Sequence, residues 1–367
     1  MREAQRQKLL LHVFPSFAAG GAQMRFVALA NHFGSAFRHA IIALDGDLSC
    51  GNRLMPEIAV CYPAVQTVPG RLPGRLRRAR AVLARINPDM LITSNWGAIE
   101  WAIANLVPRA RHIHTEDGFG VEERDRQLPR RILARRLALR RSAVVLPSRT
   151  LLRIARDIWR LPQSQLHYIP NGIDLTRFAP GPTRLRTTPP IVGCVAALRA
   201  EKNLARLLHA AHRAMANRPF RIVIAGDGPQ RPAIRALAAD LSLDAEFLGE
   251  VADPASLYRT FDLFALSSDT EQMPLSVLEA MASGLAVAAT DVGDIAGMVA
   301  AENRPFVTGR DDAALASSLA ALIGSPEARA AIGSANRRRA ERDFDQLLMF
   351  RRYQELFDEV GERTAAA

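Results

Sequence analysis

The chain has 367 residues, of which 49% are hydrophobic and 23% charged, with a formal net charge of +11. Two domains are the natural division of that length, and the hydrophobic content excludes a disordered chain. With 23 glycines and 22 prolines it is neither collagen-like nor low-complexity.

The N-terminal stretch carries the apolar run Lys8–Phe14 without a small-residue cleavage site, and it reads as a first strand rather than a signal peptide. Gly20-Gly21 and a helical stretch 22–33 follow. Further strands are expected at 40–44, 90–93, 111–114 and 143–147, with helical runs near 72–86, 97–106 and 128–141. A Pro/Gly-dense segment comes next: Pro170-Asn171-Gly172-Ile173-Asp174, then Pro180-Gly181-Pro182 and Pro189-Pro190. Such density stops regular structure and marks the domain boundary. The pattern then restarts, with strands at 191–196, 220–225, 245–248, 263–267 and 285–289. Helices are expected at 204–215, after Pro229 to about 241, and at 275–283, 311–323, 327–342 and 346–360. Alternating strands and helices predict α/β halves with parallel sheets and a ligand at the carboxyl ends of the strands. No run of 18 apolar residues exists to span a membrane.

Cys50, Cys61 and Cys194 are too few and too scattered for a disulfide framework or a zinc site, and read as buried thiols in a reducing compartment. The basic residues are almost all arginine, the lysines being Lys8 and Lys202. Arginines cluster at 71–85 and 124–160. Such surfaces attract phosphorylated ligands, acidic lipid or nucleic acid. Nucleic acid is disfavoured because basic patches with interleaved aromatics are lacking.

The most informative segment is Ser267–Gly293. A strand ends in a polar loop bearing Glu271, and Pro274 suits the first turn of the helix that carries Glu279. A helix start favours anions. Acid, helix start and acid in this order are able to hold a sugar hydroxyl, a phosphate and a ribose. Two ordinary surface acids at a helix start fit the spacing equally well. The stretch from Glu271 to Val287, E-Q-M-P-L-S-V-L-E-A-M-A-S-G-L-A-V, resembles the E-x7-E motif of retaining GT-B glycosyltransferases of family 4. Gln272 and Ala286 stand where the family usually has Gly and Pro.

Other segments are similar to the family in the same order. Gly20 and Gly21 resemble its N-terminal Gly-Gly loop, where a plain strand–helix turn is the alternative. Residues 169–174 with Phe178 resemble its interdomain signature. Gly226 and Gly228 resemble its G-x-G-P turn. Arg199 and Lys202 resemble its diphosphate-binding pair, although Ala197 occupies the usual arginine position. His114 resembles its histidine near the donor sugar. Asn95, Trp96, Glu116 and Asp117 stand where an acceptor is expected to lie, with packing the alternative for Trp96.

The resemblance implies a GT-B fold of two Rossmann-like doubly wound domains with an interdomain cleft. Residues 1–172 are expected to bind the acceptor and 173–345 the nucleotide sugar, while helix 346–367 crosses back to the N-terminal domain. It implies retaining transfer of a hexosyl group from a UDP- or GDP-type sugar to a saccharide or lipid-linked acceptor in bacterial surface-polysaccharide synthesis. A nucleotide-sugar epimerase of the same fold is the alternative. His114, Glu271, Arg199 and Lys202 are the implied catalytic residues. Donor contacts are implied at Gly20, Gly21, Gly226, Gly228, Met273, Pro274, Leu275 and Glu279, with no cofactor or metal. The cytoplasm is the implied location, peripheral at the inner membrane if the arginine-rich helices face lipid. A buried stripe of Leu128, Ile132 and Leu139 under a solvated arginine face is the other reading of those helices.

Overall fold

The computed structural model describes residues 6–65, 70–123, 126–181, 189–215 and 218–362. Part of the proline-rich linker, 182–188, lies outside the described residues, as does Arg124 of the second arginine cluster. The chain divides into two compact units, Met1–Pro170 with Phe350–Ala367, and Asn171–Met349.

The first unit holds seven parallel strands: β1 (Lys8–Phe14), β2 (Phe37–Ala43), β3 (Val60–Cys61), β4 (Met90–Ser94), β5 (Arg111–Thr115), β6 (Ala143–Leu146) and β7 (Leu166–Tyr168). Their order is β3-β2-β1-β4-β5-β6-β7. The central strands are apolar runs because helices cover both faces of a parallel sheet: Leu10, Leu11 and Val13 of β1 are buried, as are Met90 and Leu91 of β4. The terminal helix stacks on this unit through Phe350, whose ring lies 4.1 Å from that of His32.

The second unit holds β8 (Ile191–Val195), β9 (Arg221–Ala225), β10 (Ala245–Gly249), β11 (Leu263–Leu266), β12 (Val287–Thr290) and β13 (Val307–Thr308), in the order β10-β9-β8-β11-β12-β13. In both sheets the order reverses beside the first strand, between β1 and β4 and between β8 and β11. A reversal leaves the two flanking loops diverging above the strand ends, which makes it the ligand crevice of an open α/β sheet.

Several sequence expectations change. The run near 97–106 is a 3₁₀ turn, Trp96–Ala98, followed by the helix Ile99–Ala104. Pro274 is not in the first helical turn but caps the helix Leu275–Ala282, with extended backbone. Cys61 is exposed, while Cys50 and Cys194 are buried. Among the described residues no helix is long and apolar enough to cross a membrane.

Candidate active site

In the second unit the loop after β8 carries Arg199 and Lys202, and the loop after β11 carries Glu271. These loops flank the reversal point and are laced together. Ser267 Oγ donates to the Asn203 carbonyl at 2.9 Å, and Asp269 N–H donates to the Glu201 carbonyl at 2.8 Å. Arg206 donates to Asp269 Oδ1 at 2.7 Å and to the Ser267 carbonyl at 2.9 Å. From the other side, Thr290 Oγ1 donates to the Ser268 carbonyl at 2.6 Å and Asp294 N–H to the Gln272 carbonyl at 2.9 Å. Gly293 has φ 61°, and a Cβ there would lie 2.3 Å from the Glu271 carbonyl oxygen. Only glycine lets this turn close against the acid-bearing loop.

The lacing brings Lys202 and Glu271 together: Nζ lies 2.6 Å from Oε1, which also accepts from Ser268 Oγ at 2.8 Å. Arg199 is exposed, and its side chain makes no hydrogen bond or ion pair among the described residues. Met273 is buried; its carbonyl accepts from Asn171 Nδ2 at 3.0 Å and its sulfur from Asn171 N–H at 3.2 Å. Pro274 is buried and Leu275 half-buried, and no side chain caps the helix that begins there. Its first amides are therefore available to an anion. Four residues on, Glu279 is half-buried, and Tyr258, fully buried, places Oη 2.7 Å from Glu279 Oε2. Burial raises the Glu279 carboxyl above its ordinary range, while the Tyr258 hydroxyl and the Arg177 charge pull the other way.

Gly226 and Gly228 pack closely against the loop after β8. At Gly226, φ 133°, a Cβ would sit 1.9 Å from the Ala196 carbonyl oxygen. At Gly228 it would sit 2.6 Å from that of Leu198. Both glycines seat the β9 turn against the loop that carries Lys202.

In the first unit, Gly20 and Gly21 are exposed at the start of the helix Gly21–Phe33, which has no side-chain cap. Asn95, at φ 59°, accepts from Asp117 N–H at 2.7 Å through Oδ1. The carboxylates expected to face an acceptor are taken by arginines. Asp117 pairs with buried Arg25 through both oxygens, Nη2 to Oδ2 at 2.8 Å. Burial opposes the Arg25 charge, but Asp117 more than offsets it and raises the guanidinium above its ordinary value. Glu116 is fully buried and accepts from Arg135 Nε at 3.2 Å. Arg135, also fully buried, grips Glu123 through both terminal nitrogens at 3.2 and 3.0 Å. Its guanidinium stacks 5.0 Å from the Trp96 ring, so Trp96 packs against charge.

His114 is fully buried as well. Thr93 Oγ1 lies 2.8 Å from its Nδ1, while Nε2 lies 3.7 Å from Glu116 Oε2 without a hydrogen bond. The arginine-rich helix Pro129–Ala138 has a fully buried Arg135 where a solvated charge was expected. Of its expected apolar stripe only Leu139 is fully buried, and Leu133 and Leu137 are exposed among Arg130, Arg136 and Arg140. Among the described residues no group of three or more His, Cys, Asp or Glu is placed to hold a metal ion.

Residues 19–177 match the family profile described as Glycosyltransferase Family 4, and residues 189–325 match that described as Glycosyl transferases group 1. The chain belongs to the group 1, family 4 glycosyltransferases. It is 30% identical over 202 residues to the GDP-mannose-dependent monoacylated alpha-(1-6)-phosphatidylinositol monomannoside mannosyltransferase of Corynebacterium glutamicum, covering 50% of this chain and 53% of that one. It is 28% identical to the glycosyltransferase EpsF of Bacillus subtilis, over 76% of this chain and 78% of that one. The chain thus spans about half the length of the first relative and more of the second. The names of both are those of transferases, against the epimerase alternative. The Anabaena protein HepE, solved in complex with UDP-glucose, is 20% identical with a TM-score of 0.81. The match covers 96% of this chain and all of that one, which gives the glycosyltransferase the GT-B fold.

Sequence reasoning about this glycosyltransferase missed Tyr258, Arg206, Asp269, Arg25 and Arg135. Each acts through a partner far along the chain, and only Asp269, beside Glu271, carried any local signal.

Proposed function

We propose that the protein is a retaining hexosyltransferase that moves a sugar from a nucleoside diphosphate onto a saccharide or lipid-linked hydroxyl. The observation that carries this reading is the meeting of Lys202 and Glu271 at the reversal point, beside an uncapped helix start and Glu279. An ammonium has three donors. One of them suffices for Glu271, leaving two for a diphosphate oxygen. Glu271 Oε1 is occupied by Lys202 and Ser268, and Oε2 faces the sugar hydroxyls. Glu279 holds the ribose.

Breaking the sugar–phosphate bond leaves negative charge on the diphosphate and positive character on the sugar carbon. Lys202, Arg199 and the amides of Leu275 and Ser276 stabilise that anion where it develops. These cations take the place of a metal ion. His114 contacts the donor sugar once its enclosing groups admit it, and Asn95 marks the acceptor side. A phosphate oxygen of the departing diphosphate accepts the proton of the attacking hydroxyl, so the sugar keeps its anomeric configuration.

Mannosyl transfer from GDP-mannose, as in the name of the corynebacterial relative, and binding of UDP-glucose, as in the HepE structure, define the donors to try first. The exposed Leu133 and Leu137 among arginines support peripheral contact with an anionic inner membrane from the cytoplasm, where a lipid-linked acceptor of surface-polysaccharide synthesis resides. The test is release of GDP or UDP from these donors with and without a membrane extract as acceptor source, with and without EDTA. Acceptor-dependent release that survives EDTA, and a product whose anomeric coupling matches the donor's, is the expected result. Turnover of donor to an epimer without acceptor overturns the reading.

A further inference from the structure

A row of buried side chains crosses β4 and β5, and of its members only His114 figures in the steps above. Ser142 Oγ lies 2.6 Å from His112 Nδ1. His112 Nε2 lies 2.8 Å from Thr93 Oγ1, and Thr93 Oγ1 lies 2.8 Å from His114 Nδ1. Beyond the row, His114 Nε2 is 3.7 Å from Glu116 Oε2, with no hydrogen-bond partner of its own. Every member is buried. The row exists because Thr93 and His114 are opposed in the β4–β5 register and His112 alternates onto the same face.

A hydroxyl has one proton and a neutral imidazole one N–H, so the row runs in one of two directions. In the first, Ser142 donates to His112 Nδ1, His112 Nε2–H to Thr93, Thr93 to His114 Nδ1, and His114 carries its proton on Nε2. In the second every bond is reversed, and His114 turns a bare lone pair on Nε2 toward the Glu116 carboxylate. Lone pair against anion is repulsive, whereas N–H against anion is attractive. Arg135, itself gripped by Glu123, holds Glu116 in place.

We propose that Glu116 sets the direction of this row and keeps His114 as the Nε2–H tautomer, a standing hydrogen-bond donor, with Thr93, His112 and Ser142 as positioning residues. Burial, then the neighbouring His114, lowers His112 to about 3. His112 therefore stays a neutral relay at working pH rather than a second charge. His114 then offers the donor sugar an N–H and is no general base. That consequence for turnover rests on the transfer reaction proposed above; the tautomer itself does not.

The test uses the full chain labelled with ¹⁵N-histidine and long-range ¹H–¹⁵N spectra, the His114 signals being assigned by their loss in His114→Gln. His114 is expected with a protonated Nε2 and an unprotonated Nδ1. Glu116→Gln, whose carbonyl oxygen stays on Arg135 Nε, replaces the carboxylate facing Nε2 by a neutral acceptor and moves part of the proton population to Nδ1. Thr93→Val removes the donor to Nδ1 and shifts both ring nitrogens, and Thr93→Ser restores them. Unchanged signals from the six histidines outside the row certify the fold, while His112 shifts with His114, and Thr93→Val with Thr93→Ser carries the test if Glu116→Gln does not fold. In transfer assays Thr93→Val lowers kcat on the order of 10-fold or more with little change in the donor KM, and serine rescues it. A wild-type His114 protonated on Nδ1, or a tautomer indifferent to both Glu116→Gln and Thr93→Val, overturns the proposal. The expected tautomer in a protein that transfers no sugar leaves the row standing and removes the transfer reading instead.

Discussion

The ammonium of Lys202 and the carboxylate of Glu271 stand 2.6 Å apart, joined from strands on opposite sides of the point where the second sheet reverses its order. The pair is partly enclosed, with side-chain exposures of 23% and 10%. It is therefore both a preformed charge and a site open enough for a ligand to reach.

Lys202→Ala removes the cation that meets the leaving diphosphate. Turnover falls on the order of 10²-fold, by analogy with the loss of one preorganised oxyanion donor. Glu271, left beside Ser268, still orients the sugar, so the donor KM changes less than kcat. Steady-state kinetics over a range of donor concentrations check the split; unchanged kcat removes Lys202 from the chemistry.

Tyr258→Phe deletes the hydroxyl that holds Glu279 at 2.7 Å. One hydrogen bond to a partly buried carboxyl is worth roughly 1–3 kcal/mol. Affinity for the nucleoside diphosphate alone falls accordingly, while kcat at saturating donor is retained. Titration calorimetry with UDP and GDP measures it, and wild-type affinity contradicts the assignment of Glu279 to the ribose.

Much of this was legible in the chain. β1 and the helix Leu204–Met215 have the bounds their apolar runs indicate. β3, β7 and β13 are two or three residues long and carry no periodicity to read. The helix Arg149–Asp157, capped by Ser148, was hidden in an arginine-rich run. In the candidate site the E-x7-E stretch declared itself. Its contact with Lys202 did not, because 69 residues separate the partners and only the strand order joins them. For the same reason the pairing of Glu116 with Arg135 and of Asp117 with Arg25 was not legible in the sequence.

Arg135→Met leaves Glu116 and Glu123 buried without their shared cation. Breaking a buried ionic network from one side costs about 3–5 kcal/mol. Arg130→Ala and Arg136→Ala, on the exposed face, fall within about 0.5 kcal/mol of wild type. Urea unfolding of the three variants separates these cases; equal midpoints would show that the triad contributes nothing.

Acid should weaken the first unit through His12 and His39. Their rings share a hydrogen bond at 3.1 Å, and burial lowers both, His39 to about 4. A folded value below the unfolded one means stability is present above about pH 6.5 and lost as pH falls toward 4. For His39 alone the loss by pH 4 is on the order of 3 kcal/mol. His39→Leu, beside the Phe26 and Phe37 rings, flattens that slope. Denaturation midpoints between pH 4 and 7 check it, and a wild type with constant midpoint contradicts the inference.

The most direct test is the structure of the protein with an intact UDP- or GDP-sugar bound. The diphosphate is predicted to lie against Lys202 and the first amides of Leu275–Ala282, with the ribose on Glu279 and the sugar on Glu271. A diphosphate lodged elsewhere, with Lys202 and Glu271 still paired and untouched by ligand, contradicts the account.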